Sequence, residues 1–370
     1  MVRNILVYRT GQLGDTLASL PAIRAIRDVY RNDNFILLTD RKAGVVSSWD
    51  VLQPTKLFSE VLFYAAPGGR VSSWVPFIKL ASEIRRRKPA ALFYLREFSW
   101  THRTRDRFFF ERICGIPACH GFEAPAKRTF GDRDSTGKLE KCPREVDYYL
   151  GLVRGWGIPA PPSESVDFAL PVSAKERALV DSFWSDGRID ATATVIGIGP
   201  GSKMPAKRWP LERFEQIGKR ILALIPGCRL IVLGGFEDVD PGERLRGVLG
   251  SGVVNTAGKL SLFESAEALR RCSLYVGNDT GTMHLAAAVG TPCVAIFSSR
   301  DHPGRWDPYG TQHVVLRAEP PCAGCLLDIC SDQDMKCLKD ISVPDVMEAI
   351  EHVLKTTMKV TGVKQVYAGI

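Results

Sequence analysis

Four short stretches of this chain combine glycine with carboxylate, hydroxyl or cationic side chains, and each directly follows an apolar run. The first is Gly11-Gln12-Leu13-Gly14-Asp15-Thr16. A carboxylate where a helix begins can cap orphan amides, or can act as a general base beside glycines that let a substrate approach. The second, Gly199-Pro200-Gly201-Ser202-Lys203-Met204-Pro205-Ala206-Lys207-Arg208-Trp209-Pro210, places a hydroxyl and three cations ahead of a helix. That composition suits a diphosphate, because helix-start amides and fixed cations both favour an anion. An exposed basic loop would carry the same letters.

The third stretch, Gly234-Gly235-Phe236-Glu237-Asp238, offers Glu237 as an acceptor for sugar hydroxyls, or simply acids that start a helix. The fourth, Gly277-Asn278-Asp279-Thr280-Gly281-Thr282-Met283-His284, leads into the small-residue run Leu285–Ala288. Backbone amides there would face an anion above them, and His284 lies one turn in, as a pocket or a core histidine. Two further features stand apart. Arg96-Glu97-Phe98-Ser99-Trp100-Thr101-His102-Arg103-Thr104-Arg105 presents arginines suited to bidentate contacts with phosphate or carboxylate, or a solvated helix face. Cys322, Cys325, Cys330 and Cys337 have a spacing compatible with zinc, with two disulfides or with free thiols.

The elements that must position these loops alternate. Val2–Tyr8 reads as a strand and about Asp15–Tyr30 as a helix, followed by strands at Phe35–Thr39 and Val61–Tyr64, a helix at Trp74–Arg87 and a strand at Ala91–Leu95. A proline-rich stretch, Gly157-Ile158-Pro159-Ala160-Pro161-Pro162, marks a linker. The alternation then restarts, with strands at Thr194–Ile198, Arg229–Leu233, Leu274–Gly277 and Cys293–Phe297 separated by helices. Such alternation predicts parallel sheets covered by helices on both faces, hence two doubly wound α/β domains in tandem. The predicted domains are 1–170 and 171–345, with a helix and tail over 343–370. Ligands of such sheets bind beyond the carboxyl ends of the strands, so two of them facing each other would place their loops around a shared cleft.

The 370 residues, 45% hydrophobic and 24% charged, exclude a disordered chain. No apolar run approaches the roughly 20 residues of a membrane span. The N-terminal run is too short for a secretory signal, so a cytoplasmic protein is expected. The net charge of +8 suits nucleic acid, a membrane surface or a phosphorylated substrate, but no nucleic-acid motif is present. Cys228, Cys272 and Cys293 fall in or beside apolar stretches and read as core residues. Arg85-Arg86-Arg87-Lys88 ends a helix, where cations complement the dipole or touch a membrane surface. A dinucleotide dehydrogenase is disfavoured, since G-x-G-x-x-G is absent.

Arg9–Asp15, Pro200–Pro210, Gly277–Ala288, Gly290-Thr291-Pro292 and Trp306-Asp307-Pro308-Tyr309-Gly310 together resemble the heptosyltransferase-like glycosyltransferases of family 9. The resemblance implies a GT-B fold, two Rossmann-like domains facing a central cleft, with a tail that packs back on the N-terminal domain. It also implies an inverting, metal-independent transfer from an ADP-sugar, usually ADP-heptose, with no cofactor required beyond that co-substrate. By position, Asp15 would be the general base and Lys207 would stabilise the leaving diphosphate. Gly201, Ser202, Lys203, Lys207, Glu237, Asp279, Thr280, Gly281 and His284 would bind the donor. Gly14, Arg96, His102, Arg103 and Arg105 would face an anionic saccharide or glycolipid acceptor, with peripheral contact at the inner face of the membrane. The cysteine cluster would lie outside the chemistry. Thr282 and the tract Ser298–Pro303 depart from the family pattern next to the expected donor pocket. They leave room for another nucleotide sugar and a small-molecule acceptor. A non-catalytic nucleotide-sugar-binding protein is a further alternative, against which Asp15, Lys207 and Asp279 all stand.

Overall fold

The computed structural model describes residues 2–40, 46–63, 75–96, 100–123, 133–162, 165–187, 189–190 and 193–361, without the side chains of 75, 100–102 and 357–361. The chain divides into two compact units, 1–130 with 145–168, and 131–144 with 169–370. The boundary near 169 falls beside the predicted linker. The 131–144 excursion, however, belongs to the second unit rather than to the first 170 residues. It is bound there: the Cys142 amide donates to the Pro303 carbonyl at 2.9 Å, and the Arg133 side chain donates from Nη2 to the Ala323 carbonyl at 2.6 Å.

The first unit contains β1 (Asn4–Tyr8), α1 (Leu13–Val29), β2 (Asn34–Thr39), α2 (Ser48–Leu52), β3 (Glu60–Phe63), α3 (Val75–Arg87), β4 (Ala91–Tyr94), α4 (Trp100–Phe108), β5 (Ala118–His120) and α5 (Glu145–Gly155). Its strands pair in the order β3-β2-β1-β4-β5, and every pairing is parallel. Parallel strands covered on both faces are apolar throughout rather than alternating, and Ile5, Leu6, Val7 and Tyr8 are all buried. The core joins these strands to α3 and to Phe109 and Phe110, which follow α4.

The second unit contains α6 (Ala174–Asp186), β6 (Val195–Gly199), α7 (Leu211–Leu224), β7 (Arg229–Val232), α8 (Val239–Leu249), β8 (Val253–Asn255), α9 (Leu262–Arg270), β9 (Leu274–Asn278), α10 (Gly281–Ala288), β10 (Cys293–Phe297), β11 (Val314–Arg317), α11 (Lys336–Lys339) and α12 (Val343–Thr361). Its sheet runs β11-β10-β9-β6-β7-β8, again all parallel. Val343, Val346, Met347, Ile350, Val353 and Leu354 of α12 sit in the core of this unit with α7 and the central strands. The described part of the C-terminal helix therefore packs on the sheet of the second unit. The spacing of its apolar residues, three and four apart, makes the stripe that a sheet face can bury. Among the described residues no helix is long and apolar enough to cross a membrane.

Candidate functional site

In a doubly wound sheet the crevice opens where successive connections leave in opposite directions, beyond the carboxyl ends of the two strands that flank that point. In the second unit those strands are β6 and β9, and in the first they are β1 and β4. The loops singled out by residue type follow these strands: 200–210 after β6, 278–282 after β9, 9–14 after β1, and Arg96 after β4. The 234–238 loop follows β7, the neighbour of β6.

The floor of the second-unit site is glycine for a steric reason. The ring of Tyr275, wholly buried on β9, lies across the sheet so that a Cβ on Gly199 would fall 1.8 Å from its hydroxyl, and one on Gly277 2.5 Å away. The Gly201 peptide is held at both ends. Its amide donates to Asp238 Oδ1 at 2.5 Å, and Asn278 Nδ2 donates to its carbonyl at 3.2 Å and to that of Pro200 at 2.7 Å. Arg208 Nε donates to the Ser202 carbonyl at 2.7 Å. Trp209, buried to 1% exposure, anchors the far end of the loop by donating from its indole nitrogen to the Ile341 carbonyl at 3.0 Å. An immobilised loop of this kind meets an anion without being ordered first.

Lys207 Nζ stands 2.6 Å from Asp279 Oδ2, with both side chains largely buried. Burial alone would raise the Asp279 carboxyl, but the charges of Lys207, His284 and Arg317 outweigh it and hold it below the ordinary value. His284 Nε2 lies 3.9 Å from the other oxygen, and the His284 ring meets Trp306 edge-on at 5.8 Å. Thr280 is the N-cap of α10, which starts at Gly281. The N-terminal amides of α10 thus belong to Gly281, Thr282 and Met283, beside the Lys207–Asp279 pair. Ser202 is buried, and its hydroxyl accepts from the Met204 amide at 3.2 Å. Lys203 is exposed and Glu237 half-buried. The predicted donor residues Gly201, Ser202, Lys203, Lys207, Glu237, Asp279, Thr280, Gly281 and His284 therefore all follow β6, β7 and β9.

In the first unit Asp15 is not the N-cap of α1. Gln12 is, and Asp15 sits at the third helical position, its Oδ2 accepting from the Gln12 amide at 2.9 Å in a capping box. Gly11, with φ of 135°, makes room for this, since a Cβ there would meet the Asp15 Cβ at 2.9 Å. Arg9 is buried beneath the same loop at 2% exposure, donating to the Leu95 carbonyl at 2.6 Å and to Tyr149 Oη at 2.7 Å. Burying a guanidinium is costly, and these hydrogen bonds, with the Tyr149 ring centroid 5.1 Å from the guanidinium carbon, offset part of that cost.

Among the predicted acceptor residues, Gly14 opens α1, and His102 lies in α4 with its side chain outside the described residues. Arg96 donates to Tyr8 Oη at 3.3 Å and lies 3.6 Å from Asp106, while Arg105 clasps Asp106 with Nε at 2.9 Å and Nη2 at 2.8 Å. Asp106, buried and also accepting from Tyr94 Oη at 2.6 Å, is thus the hub of the arginine cluster. Arg103 is half-buried. Replacing Arg103 and Arg105 by alanine is expected to raise the acceptor KM about tenfold, the order of one lost charge-assisted contact. Nucleotide binding, followed by thermal shift, should not change; an unaltered acceptor KM removes these arginines from the site.

Arg9, Asn278, Asp238 and Asp106 are the residues that sequence reasoning passed over. All four stand within or beside the stretches it quoted, but their partners are distant in the chain. Arg86 and Arg87 pair with Glu83, and Arg87 also with Glu60, so two of the four cations in the basic run at the end of α3 are held in ion pairs. All ten cysteines are free thiols. Cys228, Cys272 and Cys293 are buried, and burial pushes the Cys228 and Cys272 thiols up to about 12. The Cys337 thiol is raised first by burial and then by Cys322, Cys330 and Cys325 nearby. Among the described residues no three Cys, His, Asp or Glu side chains are placed to hold one metal ion.

Comparison with known proteins agrees with this architecture. The chain is 34% identical to lipooligosaccharide heptosyltransferase 2 of Haemophilus influenzae over 28% of this chain and 31% of that protein, so the aligned stretch spans about a third of the relative's length. Its fold matches a glycosyl transferase family 9 structure from Veillonella parvula with a TM-score of 0.72, at 23% identity, covering 96% of this chain and 97% of that one. It matches the Escherichia coli ADP-heptose LPS heptosyltransferase II with a TM-score of 0.65, at 20% identity, over 95% and 99%. The model of glycosyltransferase family 9 (heptosyltransferase) matches residues 111–336, more than half of the chain. On that match, and with its loops at the carboxyl ends of two doubly wound sheets, the chain belongs to glycosyltransferase family 9, the heptosyltransferases.

Proposed function

We propose that this protein is an inverting, metal-independent glycosyltransferase that moves heptose from ADP-heptose to a hydroxyl of an anionic saccharide or glycolipid acceptor. The observation that carries the reading is the buried Lys207–Asp279 pair beside the clamped Gly201–Ser202 turn, at the switch point of the second sheet. Family membership supports sugar transfer, and the similarity to the E. coli ADP-heptose LPS heptosyltransferase II supports ADP-heptose as the donor.

In this reading the Gly201–Lys203 turn and the start of α10 hold the diphosphate, and Glu237 reaches the ribose. The acceptor oxygen attacks the anomeric carbon from the face opposite the nucleotide, Asp15 takes its proton, and the bond from that carbon to the diphosphate oxygen breaks. ADP leaves with the extra negative charge, which Lys207 neutralises. A fixed cation aimed at charge that develops in the transition state is often the largest catalytic contribution, and here it takes the place of a metal ion. Arg96, His102, Arg103 and Arg105 hold the anionic acceptor. A cytoplasmic protein with peripheral contact to the inner membrane face fits such an acceptor.

The test is a thermal-shift panel of ADP, GDP, UDP and dTDP with EDTA present, repeated on Lys207→Ala. A ligand that binds only the folded state raises its stability by mass action. ADP should give the largest shift, by about 2.7 kcal/mol of stabilisation at a hundredfold excess over its Kd, and the shift should shrink in the variant. Preference for another nucleotide would retain sugar transfer and reject ADP-heptose. No shift with any of them would favour a non-catalytic protein.

A further inference from the structure

Asp238 has no place in the chemistry above, yet it is the most closely enclosed carboxylate at the donor loops. It is 5% exposed. Its oxygens fill the side-chain space of two glycines on different loops: a Cβ on Gly201 would lie 2.5 Å from Oδ1, and one on Gly234 2.0 Å from Oδ2. These two glycines are therefore glycines because a carboxylate occupies the volume between them. The Gly201 amide donates to Oδ1 at 2.5 Å, and the Asp238 amide donates to the Gly235 carbonyl at 3.1 Å.

We propose that Asp238 is a positioning residue for the nucleotide-sugar diphosphate: inserted between the loops after β6 and β7, it fixes the Gly201 peptide so that the Gly201–Lys203 turn is preformed for the phosphates. This rests on the reading of that turn as the diphosphate site. Asn278 Nδ2 donates at 2.7 Å to the Pro200 carbonyl of the same Pro200–Gly201 peptide, so Asp238 and Asn278 act as opposite jaws on one amide unit.

The arrangement has an electrostatic consequence. A carboxylate directly behind an anion site repels the ligand when ionised. Burial first of all, and Glu237 next to it, push the Asp238 carboxyl up to about 7, against the Gly201 and Gly235 amides and Arg208, which pull it down. The buried Tyr275 hydroxyl also feels the Asp238 charge, and burial raises it so that it stays neutral. A bound diphosphate disfavours the ionised form further, so the Asp238 pKa rises on binding and the complex takes up a proton near neutrality. Affinity must then increase as pH falls through about 7. A protonated carboxyl still accepts from the Gly201 amide through its carbonyl oxygen, so the clamp survives protonation.

The experiment measures binding by calorimetry between pH 6.0 and 8.5, using whichever of ADP-glucose, UDP-glucose and GDP-mannose the wild-type protein binds best. Their diester phosphates do not titrate in this range. Amide hydrogen exchange of Gly201, Ser202 and Lys203 is followed in parallel without ligand. Wild-type affinity should rise threefold or more from pH 8.5 to 6.0. Asp238→Asn keeps an oxygen for the Gly201 amide and should lose that pH slope while holding the exchange rates of the turn. Asp238→Ala should weaken binding tenfold or more and accelerate exchange at 201–203 by a similar factor. Wild-type binding that Asp238→Ala leaves unchanged, with unchanged exchange, overturns the positioning role alone. Should that variant not fold, a pH slope that persists in Asp238→Asn overturns it equally. Absence of binding of all three nucleotide sugars to the wild-type protein, at every pH, overturns the diphosphate reading and the proposal with it.

Discussion

Replacing Asp15 by asparagine should lower turnover by about 10²- to 10⁴-fold, the usual worth of a positioned general base, while the fold stays intact. The substitution separates two roles of one side chain. Asp15 Oδ2 accepts from the Gln12 amide at 2.9 Å and closes the capping box of α1. The amide oxygen of asparagine keeps this acceptor, so the helix start loses little. What asparagine cannot do at neutral pH is take a proton from an acceptor hydroxyl. Release of ADP from ADP-heptose, with a phosphorylated glycolipid core as acceptor, measures the effect, and the thermal shift with ADP controls for an intact donor site. Asp15→Ala should show the same loss of turnover plus a stability loss of about 1 kcal/mol from the missing cap. If Asp15→Asn turns over within threefold of the wild-type rate, the residue is a cap and nothing more.

The second large effect belongs to Lys207. Asp279 is 6% exposed, and its charge is tolerated because Lys207 Nζ lies 2.6 Å away. Removing one partner of a buried pair leaves an uncompensated charge and costs about 3–5 kcal/mol. Lys207→Ala is therefore expected to be strongly destabilised as well as inactive. The pH dependence identifies the cause. In the wild-type protein the Asp279 carboxyl lies below its ordinary value. Its ionised form therefore stabilises the fold above the unfolded value of about 3.9, and that contribution fades as pH falls through the lower folded value. Without Lys207 burial prevails and the folded pKa moves upward, so the group destabilises the fold above about 3.9. The gap in Tm between Lys207→Ala and wild type should thus be wide at pH 8 and narrower at pH 5. The double variant Lys207→Ala with Asp279→Asn should recover most of the stability and none of the turnover. A gap independent of pH would show that the buried carboxylate is not its cause, and recovered turnover would show that Lys207 does not act on the leaving group.

Both predictions concern residues that were visible in the sequence as types in a pattern. A carboxylate four residues after a glycine at a helix start, and a lysine in a glycine-rich loop ahead of another helix, are local signals. Local signals also marked most strands and helices, because a doubly covered parallel sheet demands continuous apolar strands and a helix demands apolar residues at three and four. Cys293–Phe297 was legible in this way to the residue. Short edge elements such as Ala118–His120, Val253–Asn255 and Val314–Arg317 were not, since three or four residues carry too little periodicity to stand out from a loop.

What the sequence by itself determined is the alternation of strand and helix and the glycine-rich loops that carry the candidate side chains. Each depends on neighbours within about a dozen positions. The tertiary structure alone decided how those loops are held and which side chains oppose one another. Asp238 meets Gly201 across 37 positions, Asn278 meets Gly201 across 77, and Arg9 meets Tyr149 across 140. It also decided that 131–144 joins the second unit and that α12 lies on the second sheet. The physical reason is the same in each case. A buried polar group must find a partner and an apolar stripe must find a face, but the code for that need is local while the partner is chosen by the packing of the whole sheet.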